Sequence, residues 1–245
     1  QIAPRDGSYI AQILPPTLMV PAVEENKFDP RKVQWIGSIT RCSAVLSVWH
    51  DSPVKNLDDA KRIPLLMAST GDGSETYMIP NLLNALLGTK FRILKGYKND
   101  SMMNKAMEQG ETQGRVQFWG DVAPDHAGWI KNNRLHHLIQ FGPNIKNLEA
   151  VPSLKDLVTT KEQQNMVQFI ELASHVGMAF WYAPGVPTER VRALRTAFRN
   201  TMNDSVFFAE ARRKKIPIDP MLGKNLESII KQAYQLPKPL LVKLN

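Results

Sequence analysis

The chain has 245 residues, 43% of them hydrophobic, and a formal net charge of +8. That is enough for one large or two modest domains with filled cores, and with no apolar run of about 18 residues a membrane-spanning helix is excluded. Its one cysteine, Cys42, excludes an internal disulfide. The basic balance comes without an aromatic-interleaved RNA motif, zinc-finger spacing or a basic zipper, so no nucleic-acid partner is expected.

In chain order, Ser8 to Leu14 reads as a strand, Pro15-Pro16 as the start of a loop or helix turn and Phe28-Asp29-Pro30 as a turn. Trp35 to Ile39 and Ala44 to Trp49 read as strands, the second apolar enough to cross between domains, and Asn56 caps a short helix through Lys61. Strand and helix then alternate. Leu65 to Ser69 is a strand and Tyr77 to Gly88 a helix. Lys90 to Gly96 is a strand, Asp100 to Gln109 a helix, Arg115 to Trp119 a strand, Pro124 to Asn132 a helix and Leu135 to Phe141 a strand. Short and long helices follow at Leu154 to Val158 and Glu162 to Ala173, then a second crossing strand over Val176 to Tyr182. Pro187 opens a helix with Val191, Leu194, Phe198 and Met202 at helical spacing. Val206 to Arg213 is a helix, and in Lys224 to Tyr234 the residues Leu226, Ile229, Ile230 and Ala233 point inward until Pro237 stops it. The run Arg212-Arg213-Lys214-Lys215 reads as a solvated helix end.

The alternation implies parallel βαβ units, and ligands of such sheets sit beyond the carboxyl ends of the strands. Those ends are Ser69 to Glu75, Tyr97 to Ser101 and Phe118 to Asp121, which should face one crevice.

The first of them, Ser69-Thr70-Gly71-Asp72-Gly73-Ser74, is a strand, a glycine turn and a helix N-terminus. Unpartnered N–H groups and the helix dipole favour an anion there, and glycines let the backbone approach it closely. An alternative stands beside this: the glycines only make the turn while Ser74 or Asp72 caps the helix. Sharper motifs fail. A dinucleotide fingerprint needs a third glycine where Thr76 stands, and Gly223-Lys224 is followed by Asn225 rather than the Ser or Thr of a P-loop. A small anion, most simply a carboxylate, is what remains.

Enzyme chemistry finds no constellation. His50, His126, His136, His137 and His175 lie in no metal spacing, and His136 and His137, adjacent on a strand, point to opposite faces. Ser74 lacks a nucleophile elbow and a base, while Cys42 beside Arg41 reads as structural. No catalytic residue, metal or cofactor is expected. Among aromatics, Phe118 and Trp181 belong to strands and hence to the core, whereas Tyr97 and Trp119, at strand ends, suit either a core or a ligand wall.

Several segments carry a family pattern: Phe28-Asp29-Pro30 with Trp35-Ile36-Gly37-Ser38, Thr70-Gly71-Asp72-Gly73-Ser74, Leu83-Asn84 with Leu87 to Phe91, Gly96-Tyr97, Gly110-Glu111, and Gly185-Val186-Pro187 through Leu194 to Phe198. In order and spacing they resemble the tripartite tricarboxylate transporter solute-receptor family, the Bug or TctC-like proteins. The resemblance runs from about Pro4 to the last helix. It implies an α/β, two-lobed, type II periplasmic-binding-protein fold, each lobe a mostly parallel sheet flanked by helices. The near lobe would comprise 1–51 and 175–245 and the far lobe 52–174, with hinges near Trp49 to Ser52 and Ser174 to Gly177.

It also implies a periplasmic receptor that hands a small organic acid to membrane transporter subunits, with one carboxylate held at Thr70 to Ser74. The expected ligand-binding set is Ser69, Thr70, Gly71, Asp72, Gly73, Ser74, Tyr97, Trp119 and Asp121. The alternatives are a small-anion-utilising α/β enzyme, or a truncated receptor homologue with impaired binding. Two departures accompany the resemblance. Family members begin with a strand, a glycine-rich loop, a helix and a second strand that precede the first residues here, so the near lobe is expected to be incomplete and the chain either to associate through that lobe or to bind carboxylates more weakly. In Gly114-Arg115-Val116-Gln117, relatives carry an acidic residue after the Gly-x-Val pattern.

Overall fold

The computed structural model describes residues 3–13, 18, 28–120, 126–214 and 216–235. These fall into two compact units, one drawn from Gln1–Cys42 and Gln168–Lys238, the other from Ser43–Val167. Among the described residues no helix is long and apolar enough to cross a membrane.

The first unit contains β1 (Ala11–Ile13), β2 (Gln34–Ser38), β8 (Ala179–Tyr182) and β9 (Met221–Leu222), with α6 (Thr188–Thr201), α7 (Ser205–Arg213) and α8 (Gly223–Ala233). Its strand order is β1-β8-β2-β9 and every pair is antiparallel. The mostly parallel sheet expected of this lobe is therefore corrected. β8 enters without a βα unit of its own before it, and it pairs between β1 and β2 in the opposite sense. Helical spacing decides which faces are buried: Ile36, Tyr182, Val186 and Val191 form a core against which Phe180, Leu194 and Phe198 pack. Each such side chain, fully buried, contributes about 1.5–3 kcal/mol. Gly37 is held to hydrogen by this packing, since a Cβ there would lie 2.2 Å from the Phe198 ring.

The second unit contains β3 (Ala44–Trp49), α1 (Leu57–Arg62), β4 (Leu65–Ser69), α2 (Glu75–Leu87), β5 (Phe91–Lys95), α3 (Asp100–Glu108), β6 (Gly114–Phe118), α4 (Ala127–Lys131) and β7 (Leu135–Phe141). A 3-10 turn at Leu154–Leu157 follows, and α5 (Lys161–Val176) continues from this unit into the first. Strand order is β5-β4-β6-β3-β7. β4 runs parallel to β5 and β6, whereas β3 is antiparallel to both β6 and β7, so four strands point one way and β3 alone opposes them. β3 hydrogen-bonds at the interior of this sheet, although the sequence reading assigns it to the near lobe. All six of its residues are buried, which is why its pattern is a continuous apolar run.

Local signals account for the helix starts. Asn56 accepts the Asp59 amide at 2.9 Å, Asn99 the Met102 amide at 3.1 Å and Asp204 the Phe207 amide at 2.8 Å, each satisfying one otherwise orphaned donor. Gly88 closes α2 in the left-handed region at φ 69°.

Candidate anion-binding site

Parallel pairing of β4 with β5 sets Ser69 opposite Lys95, and pairing of β4 with β6 sets Met67 opposite Gly114. The carboxyl ends of β4, β5 and β6 therefore share one sheet edge, where the turn Thr70–Ser74, the segment Gly96–Asn99 and Trp119 follow. This is the edge that parallel sheets use for ligands.

The turn is built by its glycines and its hydroxyls. Gly71 has φ 145° and Gly73 φ 78°, values that L side chains rarely adopt, and a Cβ on either would meet no atom within 4 Å. The space over the turn is open. Beneath it, Thr76 Oγ1 is a hub: it accepts the Thr70 amide at 3.1 Å and lies 3.1 Å from Ser69 Oγ and 2.7 Å from Ser74 Oγ. Ser69 Oγ in turn accepts the Gly71 amide at 3.1 Å, and Ser74 Oγ donates to the Gly71 carbonyl at 2.6 Å.

Capping does not follow the bland expectation. Ser74 occupies the N-cap position of α2, but its side chain makes no capping bond, because Gly71 and Thr76 hold it back into the turn. Asp72 does not cap either. Both of its carboxylate oxygens lie 3.0 Å from Lys95 Nζ, which also stands 5.2 Å over the Tyr77 ring. Lys95 is held more firmly protonated than usual, first by its hydrogen bond to Asp72 and then by that carboxylate's charge. The amides of Asp72 and Gly73 have no acceptor among the described residues. Two free N–H groups beside a helix start that lacks a side-chain cap, with Asp72 paired to Lys95, are of the kind that favour a small anionic group.

Tyr97 closes the flank. Its amide donates to Ser69 O at 3.3 Å and its hydroxyl donates to Glu111 Oε1 at 2.8 Å. Burial, and next the Glu111 bond, push the phenol up to about 12, so it remains a neutral donor. Trp119 is half-buried and packs on the cluster Trp49, Met107 and Leu135, with its ring edge-on to His137 at 5.5 Å. Asp121 lies outside the described residues. Structure thus brings Ser69, Thr70, Gly71, Asp72, Gly73, Ser74 and Tyr97 together around one turn and commits much of Trp119 to packing.

Two contributors were missed in sequence. Thr76 stood where a third glycine was sought, and Lys95 ends the strand that pairs with β4. Strand register, Ser69 opposite Lys95, is the signal that finds Lys95.

His137 and His126 are engaged in packing and hydrogen bonds. His137 Nδ1 lies 2.8 Å from Ser47 Oγ, to which Gln117 Nε2 donates at 3.3 Å. Burial, and then the charge of His136, lower His137 to about 4. His126 Nε2 lies 2.8 Å from Asn104 Nδ2 and its ring stacks on Trp129 at 4.1 Å. Among the described residues, no three His, Cys, Asp or Glu side chains converge as a metal would require. Cys42 is buried, with its amide bonded to the Ser174 carbonyl.

A TctC solute-binding protein from Polaromonas superposes with a TM-score of 0.68 at 17% identity, covering 97% of this chain and 79% of the other. The fold is that of the TctC-type solute-binding proteins. Other TctC-type relatives superpose equally well. MatC from Rhodopseudomonas palustris, with bound malate, gives 0.68 at 14% identity over 98% of this chain and 81% of its own. A further R. palustris protein, with adipate, gives 0.66 at 17% identity over 99% and 80%. No protein-family model and no curated protein sequence matches the chain.

Proposed function

We propose that the chain is a periplasmic solute receptor of the tripartite tricarboxylate type, which captures a small organic acid and delivers it to membrane transporter subunits. The observation that carries this reading is the glycine turn of Thr70 to Ser74. It presents the unpartnered amides of Asp72 and Gly73 beneath open space at the carboxyl edge of β4, β5 and β6. One carboxylate of the acid is held there, with the Thr70 hydroxyl as a further donor and Lys95 as the nearby cation. Tyr97, and Trp119 where it remains exposed, wall the apolar part of the ligand.

Two solved proteins of this fold hold dicarboxylates, malate and adipate, which supports the ligand class. A thermal-shift screen of small mono- and dicarboxylates tests the proposal. A true ligand at a hundredfold excess over its Kd adds about 2.7 kcal/mol of stability. A screen in which malate, adipate and their homologues all leave Tm unmoved would refute it.

A further inference from the structure

The first unit carries a second, separate basic cavity of about 510 Å³ between α6 and the start of α8. α6 contributes Thr188, Val191, Arg192, Arg195, Thr196 and Arg199, residues that recur every three or four positions and so form one stripe of the helix. Lys224 and Asn225, in the first turn of α8, close the other side, and Ile36 and Leu222 complete an apolar floor with Val191. Among the described residues no acidic side chain lines it.

Partnering separates the cations into two kinds. Arg195 is spent on structure: its Nε donates to the Trp35 carbonyl at 2.8 Å and its Nη2 pairs with Glu227. Arg192, Arg199 and Lys224 make no ion pair or hydrogen bond among the described residues. Three solvent-exposed cations without an ion-pair partner therefore line one cavity, where their summed positive potential favours an anionic guest. The chain adds further donors. The amides of Lys224 and Asn225 have no acceptor among the described residues, and the Leu222 N-cap offers no side-chain bond. Gly223 brings this helix start against β2, since a Cβ would lie 2.1 Å from the Trp35 carbonyl.

We propose that this cavity binds a small organic phosphate. A single carboxylate is matched by one cation, whereas a phosphate monoester carries nearly two charges and three acceptor oxygens, which suit two arginine forks, a lysine and helix-start amides. The volume exceeds that of the phosphate alone, and the Ile36, Val191 and Leu222 floor takes an apolar organic part. The inference uses no residue of the glycine turn and stands apart from the proposed receptor function.

Phenyl phosphate, inorganic phosphate and benzoate, titrated calorimetrically into the wild-type chain and into R192A/R199A, test it. Phenyl phosphate is expected to bind most tightly, inorganic phosphate more weakly, and the double variant to lose at least tenfold in phenyl phosphate affinity while keeping its Tm. R192K/R199K should recover part of the loss, since charge returns without the fork. In the Gly73→Val variant phenyl phosphate should bind as in wild type, which separates this cavity from the glycine turn. No binding of phenyl phosphate below millimolar concentration, or equal binding by wild type and R192A/R199A, would overturn the proposal.

Discussion

Lys95 Nζ lies 3.0 Å from each carboxylate oxygen of Asp72, across the edge formed by β4 and β5. Both side chains are substantially exposed, 47% and 69%, so the pair itself contributes little to stability. The pair neutralises Asp72, the acidic residue of the Thr70–Ser74 turn.

Replacing Asp72 by Asn leaves Lys95 uncompensated beside the turn. Affinity for malate should rise about two- to fivefold, a gain that shrinks as salt screens it. Lys95→Ala should lower affinity by a similar factor, and titrations at low and high salt check both directions.

Thr76→Val keeps the shape of the side chain but removes the hub hydroxyl. The Thr70 amide and the Ser69 and Ser74 hydroxyls each lose a partner in a largely buried setting, a loss of about 1–3 kcal/mol. Urea unfolding should report that loss, and malate binding should weaken because the turn is no longer held in register.

Most elements were legible because their signals are local. Ala44 to Trp49 and Leu135 to Phe141 are strands with the boundaries read from sequence, and Asn56 caps its helix as its position suggests. What could not be read is non-local. Antiparallel entry of β8 between β1 and β2 depends on pairings more than 140 residues apart in the chain, which no window of sequence contains. Within the site, the glycine turn was plain from composition. The Thr76 hub and the Lys95–Asp72 pair needed side-chain geometry, and the attachment of Trp119 to the Trp49, Met107 and Leu135 cluster needed the sheet.

Arg115 extends the same lesson. It stands in the segment that departs from the family pattern, and it is buried with all three guanidinium nitrogens engaged. Nη1 donates to the Asp100 carbonyl and Asn104 Oδ1, Nη2 pairs with Asp100 Oδ1 at 2.7 Å, and Nε donates to the Val116 carbonyl. Arg115→Met removes these bonds between β6 and the start of α3. The expected destabilisation is about 2–3 kcal/mol, softened because the Asp100 carboxylate can reach water. Calorimetric Tm, several degrees lower, is the readout.

His137 gives the fold a pH dependence of known sign. Unfolded, its imidazole binds a proton near pH 6.5; folded, burial and His136 delay this to about 4. Between those values the unfolded chain holds more protons, so stability falls as pH drops from 6.5 toward 4 and is level, for this group, above about 7. Gln117 faces the same Ser47 hydroxyl without charge. Gln117→Glu would draw the His137 value upward and flatten the slope, which urea midpoints between pH 5 and 7 would show.

The most direct test of the account is calorimetric titration of malate into three proteins: wild type, Gly73→Val and Gly88→Ala. Gly73 and Gly88 have similar left-handed φ values, 78° and 69°, so both variants incur backbone strain, about 1–2 kcal/mol for alanine and more for the β-branched valine. Only Gly73 lies beneath the space where the carboxylate would sit. The account predicts that wild type and Gly88→Ala bind malate alike while Gly73→Val loses at least tenfold; equal binding by all three would place the anion site elsewhere in the molecule.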